Sequence, residues 1–435
     1  MTSDEPSGEK SNEARSMPAR RMAAPLRAAV ALIVAPFFLW CAWGALRAGA
    51  SRMVSDYAAR AGAREAADAA VALTPSDPEA SYARANLLAD AGQYELAARA
   101  YEEAIALRRR DYVLWAELGR AREESGDEVG ALTALREAVE LAPSYARPRW
   151  LLGNALLRAG RREEAYEELR RAADSDPRLY PNLVQTLWYD SGRDPSALVR
   201  EARPRTTEQT LVVVRFLVKS GAAADGLKAL RESGAQLTPE ARRSLVEDLI
   251  AAEGFADAYE VWYEGRGGKP ANAFADGGFE GEIRTDDEGF GWRFARDVRG
   301  VAFSLDSDSP REGERSLKVE YAGASDPAAR VVSQLIPAEP STRYRLTFSA
   351  RTKDLVTGGP PYVCIVSAAK SGETLAAAQP LPAGTTEWRD ISLEFNAPAS
   401  GAVRVVLARQ PCTSSPCPAF GSVWLDAFKL SGVTH

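Results

Sequence analysis

The apolar positions of this chain follow three patterns in succession. Residues 28–46, AAVALIVAPFFLWCAWGAL, have no polar face; the run is uncharged and bounded by Arg27 and Arg47. As a helix it would measure about 28 Å, enough to cross a hydrocarbon layer. Beyond it, apolar residues recur with a period of 34. Gly92, Gly126 and Gly160 are equivalent in that register, as are Ala97, Ala131 and Ala165, then Tyr101, Leu135 and Leu169, then Ala104, Ala138 and Ala172. Leu118-Gly119 matches Leu152-Gly153, and Pro143 matches Pro177. Small residues let antiparallel helices approach, large ones fill the groove between hairpins, and a proline stops the second helix. The period therefore predicts stacked helical hairpins.

An alanine-rich run over 53–73 reads as a degenerate first unit, with Ala63 and Ala70 one period ahead of Ala97 and Ala104. After Pro177 the register loosens, yet amphipathic helical stretches continue over 183–189, 211–220, 226–232 and 239–263, punctuated by Gly192, Gly221 and Gly254. They read as diverged repeats, so the helical array is expected over 53–264. The sequence GRGGKP at 265–270 opens a linker expected over 265–271. Its lysine follows two glycines, but Pro270 stands where a phosphate-binding loop needs Ser or Thr.

From residue 272 the period becomes two. Tyr344, Leu346, Phe348 and Ala350 alternate with Arg345, Thr347, Ser349 and Arg351, the pattern of a strand with one buried face. Similar runs occupy 316–321, 330–336, 362–368, 388–395, 402–409 and 422–430, separated by Gly, Pro and Asp clusters. They predict a β-sandwich over 272–431. The fold class expected is a multidomain α plus all-β chain: one transmembrane helix at 24–47, a helical solenoid and a C-terminal sandwich. Residues 1–23, rich in Ser, Glu, Arg and Pro, are expected to be a disordered tail.

Charge and composition narrow the chemistry. A formal net charge of −6 gives no electrostatic footprint for nucleic acid. The sole histidine is His435, the last residue, so His-based triads, bases and metal sites drop out. Neighbouring carboxylates such as Glu163-Glu164 and Asp286-Asp287 cannot flank a substrate as a glycosidase pair must. No catalytic residues are expected. Cys412 and Cys417 enclose the short segment TSSP and would close a disulfide loop in an oxidising compartment, or remain free thiols in a reducing one.

Two readings of residues 28–46 stand. Ala48-Gly49-Ala50 would suit a signal peptidase, whereas the polar leader and long apolar run suit an uncleaved anchor. Arg15, Arg20, Arg21 and Arg27 precede the segment, and Arg47, Arg52 and Arg60 follow it. This slight bias, together with the cysteine pair, points to an inner-membrane protein with a cytoplasmic N-terminus and a periplasmic body.

The helical period resembles the tetratricopeptide repeat, with Trp115 at that family's aromatic position in 112–145. The resemblance implies a concave face built from the first helix of each hairpin. On it would stand Tyr82 and Asn86, then Ala116 and Arg120, then Trp150, Asn154 and Arg158, as a groove for a peptide of an envelope protein.

The strand-rich part resembles the galactose-binding-like jelly-roll carbohydrate-binding modules. The resemblance rests on DGGFE at 276–280, Gly291-Trp292, RSLKV at 315–319, YRLTF at 344–348, Trp388 and WLD at 424–426. It implies sugar-binding candidates Trp292, Gln334, Arg351 and Tyr362, core roles for Trp388 and Trp424 with the same core role as the alternative for Trp292, and a structural calcium between Glu280 and Asp426. The alternative for that pair is two exposed carboxylates without metal. Together the two resemblances lead to the expectation of a non-catalytic, membrane-anchored scaffold for assembly or export of a cell-surface polysaccharide. A protein assembly factor without sugar binding is the alternative.

Overall fold

A computed structural model describes residues 24–264, 273–283, 289–295, 298–369, 373–412 and 417–433. The expected tail (1–23), the expected linker (265–271) and Asp286-Asp287 lie outside the described residues. The chain divides into two compact units, residues 1–177 and 178–435.

The first unit is all helix: α1 (Ala24–Ala61), α2 (Arg64–Leu73), α3 (Pro78–Asp90), α4 (Tyr94–Leu107), α5 (Tyr112–Glu124), α6 (Glu128–Leu141), α7 (Ala146–Arg158) and α8 (Arg162–Ser175). Its hairpins repeat atom for atom where the sequence repeats. A Cβ added to Gly119 would lie 2.5 Å from Leu135 Cγ, and one added to Gly153 would lie 2.6 Å from Leu169 Cγ. Both leucines are fully buried, and each contributes about 1.5–3 kcal/mol of transfer free energy. The hairpin turns need a left-handed residue, which is why Gly92, Gly126 and Gly160 stand there with φ of +71°, +86° and +72°. Asp77 and Asp111 cap α3 and α5, accepting from the N–H groups of Glu79 and Val113.

The apolar run and the start of the first repeat lie on one helix. Sequence placed a boundary between 47 and 53, but α1 runs unbroken through Pro36, Gly44 and Gly49 to Ala61. Its N-terminal part exposes Leu32, Phe38, Trp40 and Trp43; the helix from Leu32 is long and apolar enough to cross a membrane, reaching a mean hydropathy of 1.5 over a membrane-length window. Docking onto α2 begins at Arg47, whose Nε donates to Leu73 O at 3.1 Å. One turn on, the buried Ser51 donates to Ala70 O at 2.9 Å.

The second unit begins with α9 (Tyr180–Asp190), α10 (Pro195–Ala202), α11 (Thr207–Lys219), α12 (Ala223–Ser233), α13 (Pro239–Ala251) and α14 (Phe255–Tyr263). Among the described residues ten strands follow: β1 (Trp292–Phe294), β2 (Val301–Asp306), β3 (Ser316–Ala324), β4 (Val332–Pro337), β5 (Arg343–Thr357), β6 (Pro361–Ser367), β7 (Thr374–Ala377), β8 (Gly384–Asn396), β9 (Ala402–Arg409) and β10 (Pro418–Gly432). They form two antiparallel five-stranded sheets, ordered β1-β4-β9-β6-β7 and β2-β3-β10-β5-β8. Leu317, Val319, Leu346, Phe348, Val423 and Leu425 of the second sheet pack on Val332, Ile336, Val363, Ile365, Val403 and Val405 of the first. Strands β1 and β7 are too brief for the alternation to show, whereas β2, absent from the expected runs, does alternate Val301, Phe303 and Leu305 with Ala302 and Ser304.

The compact division falls at Pro177 rather than at the expected linker. Its cause is the packing of the last helices on the outer face of the first sheet. Tyr259 and Trp262 of α14 meet Phe290 at ring separations of 5.0 and 5.8 Å, and Val261, Trp262, Leu335 and Ala402 share one apolar cluster. Helices α9–α14 and the sandwich are therefore one folded body.

Candidate binding surfaces

In the first unit a hollow of about 520 Å³ opens along α3, α4 and α5. Tyr82, Asn86 and Arg120 line it together. Tyr101, Tyr94, Asp90, Glu117 and Glu124 join them, and these the sequence reading missed. Tyr101 donates to Asn86 Oδ1 at 2.6 Å, and its ring lies 6.2 Å from that of Tyr82. Burial, with the negative charge of Glu117 second, pushes the Tyr101 phenol well above its usual range, so it stays a donor. Glu117 is itself buried; it takes a hydrogen bond from Arg120 at 2.9 Å and pairs also with Arg147. Two signals were available. Tyr101 occupies the position of Leu135 and Leu169, and Glu117 that of Leu151, so each is a polar group written into a packing position.

The other three groove candidates, Trp150, Asn154 and Arg158, stand on α7. Asn154 Nδ2 donates to Trp150 O at 2.9 Å, and Arg158 Nε donates to Glu123 Oε1 at 2.6 Å. None of them lines the hollow. Ala116 is fully buried, so it offers no surface.

The four sugar candidates of the sandwich do not converge. Trp292 and Gln334 are register partners on β1 and β4 and both point inward. Trp292 packs 4.8 Å from Phe279 and 5.0 Å from Phe428 by ring centroid, and its indole donates to Asp276 O at 2.7 Å. Gln334 is fully buried and donates to Phe290 O at 2.9 Å. Gln334 is thus enclosed, whereas the edge of Trp292 borders a hollow of about 420 Å³ with Asp276, Phe279 and Phe294. Arg351 sits on the outer face of the other sheet, its guanidinium 4.4 Å from the Trp424 ring and 5.3 Å from the Trp388 ring. The core role expected of those two tryptophans is thereby corrected: they flank an arginine by cation–π contact outside the sandwich core. Their indoles donate outward, to Asp306 Oδ2 at 2.6 Å and Ser309 O at 3.0 Å. Tyr362 alone lies on the outer face of the first sheet, beside Cys364 and Ala408.

Glu280 and Asp426 do meet. Asp426 is fully buried; its Oδ2 accepts from the N–H groups of Arg311 and Glu312 at 2.8 and 3.1 Å. Glu280 Oε1 accepts from Glu314 N at 2.9 Å. Burial, with the neighbouring Glu280 adding repulsion, raises the Asp426 carboxyl above its usual range, while the backbone donors pull the other way. Hard oxygens side by side with only dipoles as partners suit a calcium ion. Among the described residues, however, no third acidic, His or Cys side chain joins them, so backbone carbonyls and water would complete any coordination sphere. Cys412 and Cys417 are joined as a disulfide, with Cα atoms 5.6 Å apart. The buried Arg409 ties that loop to the sheet, donating to Cys417 O and to Ser325 Oγ at 3.0 and 2.6 Å.

The helical hairpins can now be set against known proteins. Residues 60–112 and 82–146 match one tetratricopeptide repeat model, and residues 122–187 match another. Residues 60–187 are tetratricopeptide repeats. Such repeats mediate protein–protein interaction and bind peptide or protein partners. Solved structures similar in part to the chain include MamA, from residue 41 to its end, of Desulfovibrio magneticus RS-1. It is 23% identical, with 36% of this chain and 93% of that one covered and a TM-score of 0.32. YrrB, described as a TPR protein with an unusual peptide-binding site, is 21% identical over 42% of this chain and 88% of that one, with a TM-score of 0.30. A CBM4 structure is 14% identical over 37% of this chain and 99% of that one, with a TM-score of 0.28. No curated protein matches the chain.

Proposed function

We propose that this chain is a non-catalytic, membrane-anchored scaffold whose repeats grip a peptide segment of an envelope protein. The observation that carries the reading is the hollow that brings Tyr82, Asn86, Tyr101 and Arg120 together. Its rim carries the exposed carboxylates Asp90 and Glu124, so the favoured segment carries Lys or Arg. The apolar part of α1 serves as an inner-membrane anchor with a cytoplasmic N-terminus, and the Cys412–Cys417 pair belongs with a periplasmic body. Panning displayed random peptides on the full chain in detergent tests the central part. Enrichment of cationic sequences, lost in Tyr82→Ala and in Asp90→Lys, is the expected result. No enrichment, or enrichment indifferent to both changes, removes the proposal.

The sandwich extends this reading to the assembly or export of a cell-surface polysaccharide, supported by the motif series from 276 to 426. A structural calcium held by Glu280 and Asp426 would pin the opening turn of the sandwich to its last strand. The alternative, a protein assembly factor without sugar binding, is favoured by the burial of Trp292 and Gln334 and the engagement of Arg351. Titrating the full chain with neutral and acidic glycans separates the two, since the scaffold reading without sugar predicts no heat of binding from either.

A further inference from the structure

The outer face of the first sheet carries a cluster of cations that pairs with no acidic group among the described residues. On β9, Val403 and Val405 face the core, so Ala402, Arg404, Val406 and Ala408 face outward. Ala402 lies in the cluster formed with α14, and Arg404 is the first outward residue beyond it. On β1, Trp292 and Phe294 face the core, which turns Arg293 outward opposite Ser333 of β4. Ser333 in turn is opposite Val406. Arg330 stands just before β4. Its charge reaches both Arg404 and Cys364, the latter opposite Val406 on β6.

These three arginines share one patch. Burial first, and then the charges of Arg293 and Arg330, pull Arg404 down to about 10, so it remains a cation at neutral pH. Arg293 Nε is buried without a hydrogen-bond partner. Among the described residues no carboxylate pairs with Arg293, Arg330 or Arg404, in a chain that ties most of its other arginines into ion pairs. Like charges held together on a half-buried sheet are unfavourable by themselves, and the guanidinium fork is built to hold oxyanions by paired hydrogen bonds. Beneath them Cys364, Val366 and Val406 are buried, and at the edge of that cluster Tyr362 and Ala408 are partly exposed. Arginines beside a partly exposed tyrosine suit a ring that carries an acid group.

We propose that this face binds an acidic saccharide, holding a carboxylate, sulfate or phosphate group among Arg293, Arg330 and Arg404, with Tyr362 against the adjoining ring. The proposal rests on the glycan reading of the sandwich and specifies its ligand class. It is tested by calorimetric titration of the full chain in detergent at fixed salt with polygalacturonate, dextran sulfate, neutral dextran and polyglutamate. The expected result is binding of the two acidic glycans and not of neutral dextran. Arg404→Gln and Arg293→Gln each weaken binding at least tenfold, and Arg389→Gln on the other sheet leaves it unchanged. Arg330→Gln, an exposed change, gives the same loss should Arg404→Gln fail to fold. Binding of neutral dextran alone overturns the anion site while the glycan reading stands. Binding of acidic glycans indifferent to all three substitutions places the site elsewhere and overturns the proposal. Polyglutamate bound as tightly as polygalacturonate replaces the saccharide with an acidic peptide, and no binding of any probe removes proposal and glycan reading together.

Discussion

Tyr101 donates its hydroxyl to Asn86 across 2.6 Å at a position where the next two repeats place the buried leucines Leu135 and Leu169. A core position has been converted into a polar wall of the hollow. Tyr101→Phe removes only the hydroxyl and leaves Asn86 without its partner. The expected cost is about 1 kcal/mol of stability, read as a lower unfolding midpoint, together with weaker capture of selected peptides. A midpoint and a peptide affinity both unchanged would mean that the bond organises neither the fold nor the hollow.

The glycines of the repeat fall into two physical classes that substitution can separate. Gly119 and Gly153 face Leu135 and Leu169 with no room for a methyl group, so Gly119→Ala and Gly153→Ala should each destabilise by about 1–3 kcal/mol through overpacking. Gly126 is different: space around it is open, but its φ is +86°. Asparagine tolerates that conformation, so Gly126→Asn should stay within about 0.5 kcal/mol of the parent. Chemical denaturation ranks the three, and a Gly126→Asn loss equal to that of Gly119→Ala would contradict the close-packing account.

How much of this was readable from sequence depends on the length of the pattern. Seven equivalent positions at a fixed period expose the repeats because every unit must bury the same face. The alternation of Tyr344, Leu346, Phe348 and Ala350 exposes β5 for a similar reason. Trp292 misleads because its strand has three residues, too few to reveal that the indole points inward. The Arg351–Trp424 contact depends on the register of β5 against β10, which no local pattern encodes. The unbroken α1 was hidden by Gly44 and Gly49, residues that weaken a helix without ending it.

The buried Asp426 gives the sandwich a pH dependence whose sign is determined. Its folded carboxyl is raised above the unfolded value, chiefly by burial and secondarily by Glu280. The stabilising contribution is therefore complete below the unfolded value of about 3.9 and is lost as pH rises through the higher folded value. Asp390, held low by Ser349 and Arg311, runs the opposite way, so the difference between parent and Asp426→Asn isolates the effect. With chelator present, that difference should change in favour of Asp426→Asn as pH rises from 4 toward neutrality. Added calcium should raise the parent midpoint at neutral pH and leave Asp426→Asn and Glu280→Gln unmoved. A calcium-independent parent would leave the carboxylate pair without a metal role.

The grip of the repeats on a partner is tested most directly by photo-crosslinking in intact cells. A photoreactive residue is placed at position 120, which lines the hollow, or at Val129, which is 77% exposed and lies outside it. The account predicts a discrete protein adduct from position 120 that Asp90→Lys abolishes, and no such adduct from position 129. Equal labelling from both positions, or an adduct at 120 that survives Asp90→Lys, would contradict it.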